Sequence, residues 1–122
     1  MNISHDKASD SLYIHLAAHA SVDSVEVADG VVLDFDASGA LVGIDVQQAS
    51  HRVDVNNLAV QCHDSEKDDI LHVRLSDQPI VREVSPDWRT HISYAADGTI
   101  VEIVLLDAKK EGLMPLEFRK AA

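Results

Sequence analysis

Histidine is the residue type that first suggests chemistry in this chain, since seven of its 122 residues are histidines. Strict alternation places His63 and His72 opposite each other on paired strands, where facing Cβ atoms lie about 5 Å apart. His91 has the same outward parity on a later strand. Imidazoles at this spacing bind a divalent metal such as zinc when further ligands complete the set. One candidate metal site therefore consists of His63, His72 and His91, against the plain alternative of a polar sheet face.

Aspartate supplies a second candidate site, in the first half of the chain. Asp34 and Asp36 are two residues apart in an alternating segment, so both are expected on one face about 7 Å apart. Asp45 follows nearby. Carboxylates in this arrangement act as acid and base, bind a hard cation or contact a basic protein. The candidate partner-binding residues are therefore Asp34, Asp36 and Asp45, with a solvated sheet face as the plain alternative.

Complete catalytic motifs are missing from the sequence. It contains no glycine-rich phosphate loop, serine nucleophile elbow, CxxC pair or HExxH segment. The single cysteine, Cys62, aligns with an apolar position of the first half and is expected in the core, where a thiol is inert. We therefore predict no catalytic residues and no cofactor, and the alternative is a divalent metal bound by the histidines or the carboxylates.

These residues lie on a duplicated scaffold. A constant offset of 59 superimposes residues 1–50 on residues 60–109 and recovers ten identities, among them Leu12 on Leu71 and Gly39 on Gly98. A unit of sixty residues buries too little surface to be stable alone, whereas two fused units can share a core. We predict a single domain spanning 1–122, with repeats at about 1–50 and 60–110 and a tail at 111–122.

Alternation of apolar and polar residues predicts half-buried strands in both repeats, most clearly in Leu12-Tyr13-Ile14-His15-Leu16. Helical signals are confined to 47–58 and 108–111. The predicted fold class is therefore mainly β, with two tandem antiparallel β-meander units of about four strands each. We expect pseudo-twofold symmetry between the units and at most short helical turns after each.

Hairpin turns set the predicted register. Ser38-Gly39 and Asp97-Gly98 lie between apolar runs at matching positions and are typical of two-residue type I′ turns, which need positive φ at both residues. Such turns pair Leu33 with Ile44, Phe35 with Val42, Ile92 with Ile103 and Tyr94 with Val101. The predicted inward residues are Ile3, Leu12, Ile14, Leu16, Leu33, Phe35, Val42, Ile44, Cys62, Leu71, Val73, Leu75, Ile92, Tyr94, Val101 and Ile103.

Charge and hydropathy limit the partners. The chain carries 21 acidic and 10 basic residues, a net charge of −11, and an acidic body repels nucleic acid. No apolar run approaches the roughly 18 residues of a membrane helix, and the first residues lack the features of a signal peptide. We therefore expect a cytoplasmic protein with no membrane contact and a small basic protein as partner. Outward apolar residues at Val104 and Leu106 indicate a further contact, either between the two units or between two chains, and of these we expect a homodimer.

Three segments of the first repeat resemble motifs of a known family. Residues 6–14 resemble Tyr-Asp-Pro-Glu-Ala-Asp-Ala-Leu-Tyr-Ile without its proline, residues 30–39 resemble Gly-Val-Ile-Leu-Asp-Tyr-Asp-Ala-Asp-Gly, and residues 41–46 resemble Leu-Val-Gly-Ile-Glu-Ile. These motifs are those of a prokaryotic domain, the domain of unknown function family 2283. The resemblance implies a shared fold and brings no catalytic residues.

The second repeat is similar to the same motifs but departs from them at four positions. His72 stands where the family has tyrosine, Ser93 and Ala95 where it has aspartate, and Glu102 where it has glycine. Family members are typically single units, so this chain resembles a fused pair. Some members are encoded beside small toxin-like proteins, which implies an antitoxin or accessory role.

The residues and the resemblance together predict a non-enzymatic protein-interaction module. The alternative is a small metal-binding or carboxylate-dependent enzyme that uses the outward histidine or aspartate clusters. Bound metal in the purified protein distinguishes the two classes.

Overall fold

The computed structural model describes residues 2–58, 61–65 and 69–107. The chain divides into two compact units, unit 1 containing residues 1–48 and unit 2 containing residues 49–107. Within the described residues each unit forms one five-stranded antiparallel sheet. This part of the chain contains no helix long and apolar enough to cross a membrane. The predicted mainly β fold with two repeated units is confirmed.

Unit 1 contains five strands in the spatial order β1-β2-β5-β4-β3. Their bounds are β1 (Asn2–Asp6), β2 (Ser11–His15), β3 (Asp23–Ala28), β4 (Val31–Phe35) and β5 (Leu41–Val46). The order departs from a simple meander at one place, because β2 pairs with β5 and not with β3. The fifth strand is β3, which the sequence indicated only as a short linking piece.

Unit 2 repeats the same order as β6-β7-β10-β9-β8. It begins with a short helix α1 (Ala49–Arg52) and a 3-10 turn (Val55–Asn57), as the helical signal at 47–58 predicted. Its strands are β6 (Gln61–Ser65), β7 (Ile70–Arg74), β8 (Arg82–Val84), β9 (Thr90–Tyr94) and β10 (Ile100–Leu106). The second helical prediction, at 108–111, lies outside the described residues.

The hairpin turn between β4 and β5 differs from the predicted type. Of the two residues proposed to form a type I′ turn, only Gly39 has positive φ, at 87°. The Gly39 amide donates to the Asp36 carbonyl and the Asp36 amide donates to the Ala40 carbonyl, which defines a three-residue loop with a glycine bulge. The turn between β9 and β10 has the same pattern, with Gly98 at φ 87°.

The bulge changes the register only beside each turn. Leu33 lies opposite Ile44, as predicted, but Phe35 pairs with Leu41 and not with Val42. In unit 2 Ile92 lies opposite Ile103, as predicted, whereas Tyr94 pairs with Ile100 and not with Val101. The extra residue of the bulge absorbs the difference, so the apolar faces of the strands are preserved.

The core of each unit lies on the predicted face of its sheet. Every predicted inward residue is buried except Ile3 and Tyr94, which are half-buried, and Cys62, whose side chain lies outside the described residues. Val104 and Leu106, predicted as outward apolar surface, are half-buried. Further buried positions recur at the repeat offset, namely Val31, Leu41 and Val46 in unit 1 and Thr90, Ile100 and Leu105 in unit 2.

Candidate functional site

The outer face of the unit 1 sheet carries a side-chain cluster built on three neighbouring strands and the edge strand β3. Tyr13 on β2 lies opposite Asp45 on β5, and Asp34 on β4 lies opposite Gly43 on β5. Ser24 on β3 lies opposite Asp34. We call these five residues the Tyr13 cluster. They share a face because alternation places residues of one parity on the side away from the core.

Gly43 permits the contact at the centre of the cluster. A Cβ atom on Gly43 would overlap the phenol of Tyr13. Without that atom, the tyrosine ring lies across β5 and its Oη donates to Asp34 Oδ2 at 2.8 Å. Ser24 Oγ donates to Asp34 Oδ1 at 2.6 Å, so both oxygens of this carboxylate accept a hydrogen bond. Asp34 is therefore held in one orientation from two strands.

Asp45 is the carboxylate whose hydrogen bonding is incomplete. Its Oδ1 atom is buried and has no hydrogen-bond partner. Burial raises the pKa of the Asp45 carboxyl above its usual value, and the negative charge of Asp34 raises it further. An oxygen in this position is stabilised by a proton or by a cationic donor, because a buried acceptor without a partner costs free energy.

Tyr13 acts in this cluster as a hydrogen-bond donor. Burial, the hydrogen bond to Asp34 and the nearby negative charge of Asp45 hold the pKa of the phenol well above its usual range. At neutral pH the hydroxyl therefore keeps its proton and donates it in the hydrogen bond to Asp34. The His15 ring packs edge-on against the tyrosine ring, with centroids 4.3 Å apart.

The structure separates Asp36 from the other two predicted partner-binding residues. Its Oδ1 accepts hydrogen bonds from the Ser38 amide at 2.9 Å, the Ser38 hydroxyl at 2.6 Å and the Ala40 amide at 3.0 Å. The bond from the Ser38 hydroxyl is the main cause of its lowered pKa. Asp36 therefore organises the β4–β5 turn, and only Asp34 and Asp45 come together on the outer face.

A depression of about 400 Å³ lies beside this turn. Its lining residues are His19, Ala20, Val22, Asp36, Ala37 and Ser38. The lining includes Asp36 but neither Asp34 nor Asp45, so this depression is separate from the Tyr13 cluster.

The predicted metal-binding histidines lie in one cross-strand row of unit 2. His63 on β6 is opposite His72 on β7 in the backbone register, as predicted. Across the next two strands of the sheet, His72 is opposite Val104 on β10, and Val104 is opposite His91 on β9. Val104 therefore lies between the second and third histidine. The side chain of His63 lies outside the described residues, so the three-histidine site stays a prediction.

Of the three predicted metal-binding histidines, His72 and His91 have described side chains, and each of them lies near a carboxylate. Nδ1 of His72 lies 3.7 Å from a Glu102 oxygen, and Nδ1 of His91 lies 3.4 Å from a Glu83 oxygen and 2.7 Å from Ser85 Oγ. Across the described side chains, no group of three or more histidine, cysteine, aspartate or glutamate residues is placed to hold a metal ion.

Sequence reasoning did not identify Tyr13 and Gly43 as site residues, although a signal for them was present. Three of the four departures of the second repeat, at His72, Ser93 and Glu102, fall at the positions equivalent to Tyr13, Asp34 and Gly43, respectively. These three positions meet in space only because β2, β5 and β4 are neighbours. The departures therefore mark a cluster present in unit 1 and replaced in unit 2.

The fold and the cluster define a duplicated antiparallel β protein with one polar face per sheet. The family described as protein of unknown function (DUF2283) matches residues 2–50 and 65–109. The chain therefore belongs to this family, as a member with two copies of the unit. Comparison with curated proteins and comparison with solved structures each found no match.

Proposed function

We propose that this protein is a cytoplasmic, non-enzymatic protein-interaction module, antitoxin-like or accessory, whose Tyr13 cluster binds a basic side chain of a small partner protein. The observation that carries the proposal is the half-buried pair of carboxylates, Asp34 and Asp45, on one face of the sheet, of which Asp45 lacks a hydrogen-bond partner at its Oδ1 atom. An arginine or lysine of the partner binds at this pair and offsets its negative charge.

The geometry of the cluster supports a cationic ligand. Asp34 is already oriented by Tyr13 and Ser24, so its charge is fixed in place before binding. A guanidinium or ammonium group between Asp34 and Asp45 forms charge-assisted hydrogen bonds and relieves the repulsion between the two carboxylates. Preorganised acceptors lose little side-chain entropy on binding, which favours affinity.

The overall charge supports the same class of partner. A net charge of −11 attracts a basic protein over several ångströms and increases its association rate. Exposed charges are screened over about 8 Å at physiological ionic strength, so binding weakens as salt rises.

The pull-down that tests this proposal uses the full chain as bait in extract from its host at low and at high salt. The captured protein is then purified, and its affinity is measured for the wild type and for the double variant Asp34→Asn, Asp45→Asn. The matched control is the pair Glu83→Gln and Glu102→Gln, which also removes two negative charges but takes them from unit 2. We expect a basic partner, salt-sensitive binding, and loss of affinity with the double variant only.

Two results contradict the proposal. One is a partner whose binding ignores salt and survives the double variant. The other is equal weakening by the control, which indicates attraction by total charge without a role for the cluster.

A second candidate function is a carboxylate-dependent or metal-dependent enzyme. The observation that favours it is the raised pKa of Asp45 beside Asp34, which is the environment of a general acid. Metal analysis of the purified protein addresses the metal-dependent form. Stoichiometric zinc, nickel or manganese that disappears with His72→Ala favours the enzyme and removes the purely binding function.

A further inference from the structure

Exposed apolar side chains are concentrated in one short segment of unit 2. Of the six large hydrophobic side chains that are exposed in the described chain, four lie between residues 80 and 88. Val81 and Trp88 are each 62% exposed, Ile80 is 43% exposed and Val84 is 39% exposed. Scattered single hydrophobic residues need no explanation, but a contiguous group of this kind is typical of an interaction surface.

The segment includes β8, the last strand in the sheet order β6-β7-β10-β9-β8 of unit 2. The Val81 amide donates to the Tyr94 carbonyl at 2.9 Å, so this side of the strand is used by β9. Arg82 and Val84 lie opposite Tyr94 and Ile92, whose backbone groups face β8, so the backbone groups of Glu83 are the ones that point away from β9. An edge strand with this arrangement can accept a further antiparallel strand.

The local charge favours a second copy of this chain as the source of the strand that pairs with β8. The segment from Pro79 to Pro86 contains one arginine and one glutamate, so its formal charge is zero in a chain of net charge −11. Two copies of an acidic protein repel each other over most of their surface, and a neutral apolar strand is where they can approach. A basic partner gains no electrostatic advantage at this strand.

The equivalent edge of unit 1 confirms that charge distinguishes the two strands. Strand β3 exposes valines at the equivalent positions, with Val22 65% and Val25 44% exposed. However, β3 also carries Asp23 and Glu26, so pairing two copies of β3 would place four carboxylates along one contact. Like charges facing each other across strands are destabilising.

We propose that β8 pairs with β8 of a second copy of this chain across a two-fold axis, which makes the protein a homodimer. A two-fold axis perpendicular to the sheet keeps residues of the same parity opposite each other. With Val84 at the axis, the two Val84 side chains face each other, the outward backbone groups of Glu83 in each copy face Ser85 of the other, and no two like charges are opposite.

Two features of the segment are compatible with this pairing. The Arg82 guanidinium lies over the Tyr94 ring, 4.5 Å from its centroid, and is therefore drawn toward β9 and away from the axis. Pro79 and Pro86 bracket the strand, and since proline cannot donate a backbone hydrogen bond they limit the length of the contact.

Sedimentation equilibrium of the full chain tests the proposal. We expect the wild type to reach a species of twice 13.3 kDa with increasing concentration. Val84→Asp should raise the dimer dissociation constant at least tenfold. The matched control is Val25→Asp at the equivalent position of unit 1, which has similar exposure and should leave the dimer unchanged.

A second variant and a second measurement distinguish dissociation of the dimer from misfolding of the variant. Val81→Lys changes a more exposed side chain and should also dissociate the dimer, with circular dichroism showing that the sheet is retained. The single tryptophan, Trp88, follows β8, so its emission should shift to shorter wavelength as the wild type dimerises. A wild type that stays monomeric at every concentration overturns the proposal.

Dissociation by Val25→Asp also overturns it, since the contact would then use β3. This outcome is separate from failure of the proposed function, because the partner-binding variants lie in unit 1 and Val84→Asp leaves the Tyr13 cluster intact.

Discussion

The two units present different chemistry on sheets with the same strand order. In unit 1, Tyr13 crosses β5 above Gly43 and donates to Asp34 at 2.8 Å. The cluster that results joins four strands and includes a carboxylate oxygen, Asp45 Oδ1, without a hydrogen-bond partner. Its chemistry is acidic, ordered and suited to a cationic ligand.

In unit 2 the equivalent positions hold His72, Glu102 and Ser93. Glu102 has a side chain where unit 1 has glycine, so the surface of the central strand is occupied and no long side chain crosses it. The histidine meets the glutamate at 3.7 Å, and the serine is buried. One glycine position therefore separates a cluster that spans four strands from a contact between two neighbouring strands.

The edge strands of the two sheets also differ, in their charge and in the exposure of their apolar side chains. The unit 1 edge is acidic at Asp23 and Glu26, whereas the unit 2 edge is neutral and carries more exposed apolar side chains. Under our two proposals the repeats have separate tasks, with unit 1 binding a basic partner and unit 2 binding a second copy. A duplicated chain allows this division because each unit has its own sheet.

The largest expected effect tests whether the two cores are equivalent. Leu33 and Ile92 occupy matching positions and are both fully buried. Leu33→Ala and Ile92→Ala should each lower the free energy of unfolding by about 2–5 kcal/mol, because each leaves a cavity. Denaturant unfolding monitored by circular dichroism measures both. A cost well below this range for one variant only would show that the units differ in their cores as well as on their surfaces.

The next effect concerns the central glycine. Gly43→Ala should displace the Tyr13 ring, break its hydrogen bond to Asp34 and cost about 1–3 kcal/mol, as overpacking usually does. The control, Glu102→Ala at the equivalent position of unit 2, should change stability by no more than about 0.5 kcal/mol. Equal effects of the two variants would contradict the role assigned to the glycine.

A smaller effect, of opposite sign, is expected at Asp45. Its folded-state pKa is raised, so ionisation near neutral pH opposes folding, and Asp45→Asn should increase the melting temperature at pH 7. The gain should shrink as pH falls through the folded-state pKa and disappear below the ordinary value of 3.8, where the wild type is protonated. The reciprocal change in unit 2, Val104→Asp, should destabilise at neutral pH. Thermal melts across this pH range compare the two units, and destabilisation by Asp45→Asn at pH 7 contradicts the expectation.

The smallest effect is at the two hairpin turns. Asp36 accepts hydrogen bonds from Ser38 and Ala40, and Asp97 accepts them from Thr99, and these bonds lower both pKa values. Their contribution to stability is complete above the unfolded value of 3.8 and is lost as pH falls through the folded values.

Asp36→Asn and Asp97→Asn should therefore lower stability at neutral pH and reduce the further loss of stability as pH falls below the ordinary value of 3.8. Urea midpoints measured across this range give the comparison. An unchanged acid dependence in both variants would show that the turn carboxylates do not titrate as described.

Much of the fold was predictable from local patterns. Alternation located β2, β4 and β5 and their counterparts in unit 2, and it identified the buried faces because side chains of a strand alternate strictly. The hairpin register was predicted correctly at Leu33 and Ile44 but not at Phe35. Beside the turn, a serine before glycine fits either a two-residue turn or a three-residue loop with a bulge, and local sequence does not separate them.

The candidate site was predictable only in part. The aspartates were identified by type and spacing, and Asp34 and Asp45 do share the outer face. Asp36 was grouped with them because the prediction continued the strand alternation into the turn. In the structure the bulge interrupts the alternation there. Tyr13 and Gly43 were not identified, since neither residue type suggests chemistry until the tyrosine is placed above the glycine.

The sequence by itself determined the duplication, the strands and the face that each strand buries, because these depend on periodicity within a few residues. Only the tertiary structure determined that β2 lies beside β5, and with it the hydrogen bond between Tyr13 and Asp34. Pairing of distant strands depends on closing long loops and on the packing of the whole sheet, which no local pattern records. The same is true of the edge strands, whose exposure follows from their place at the end of the order.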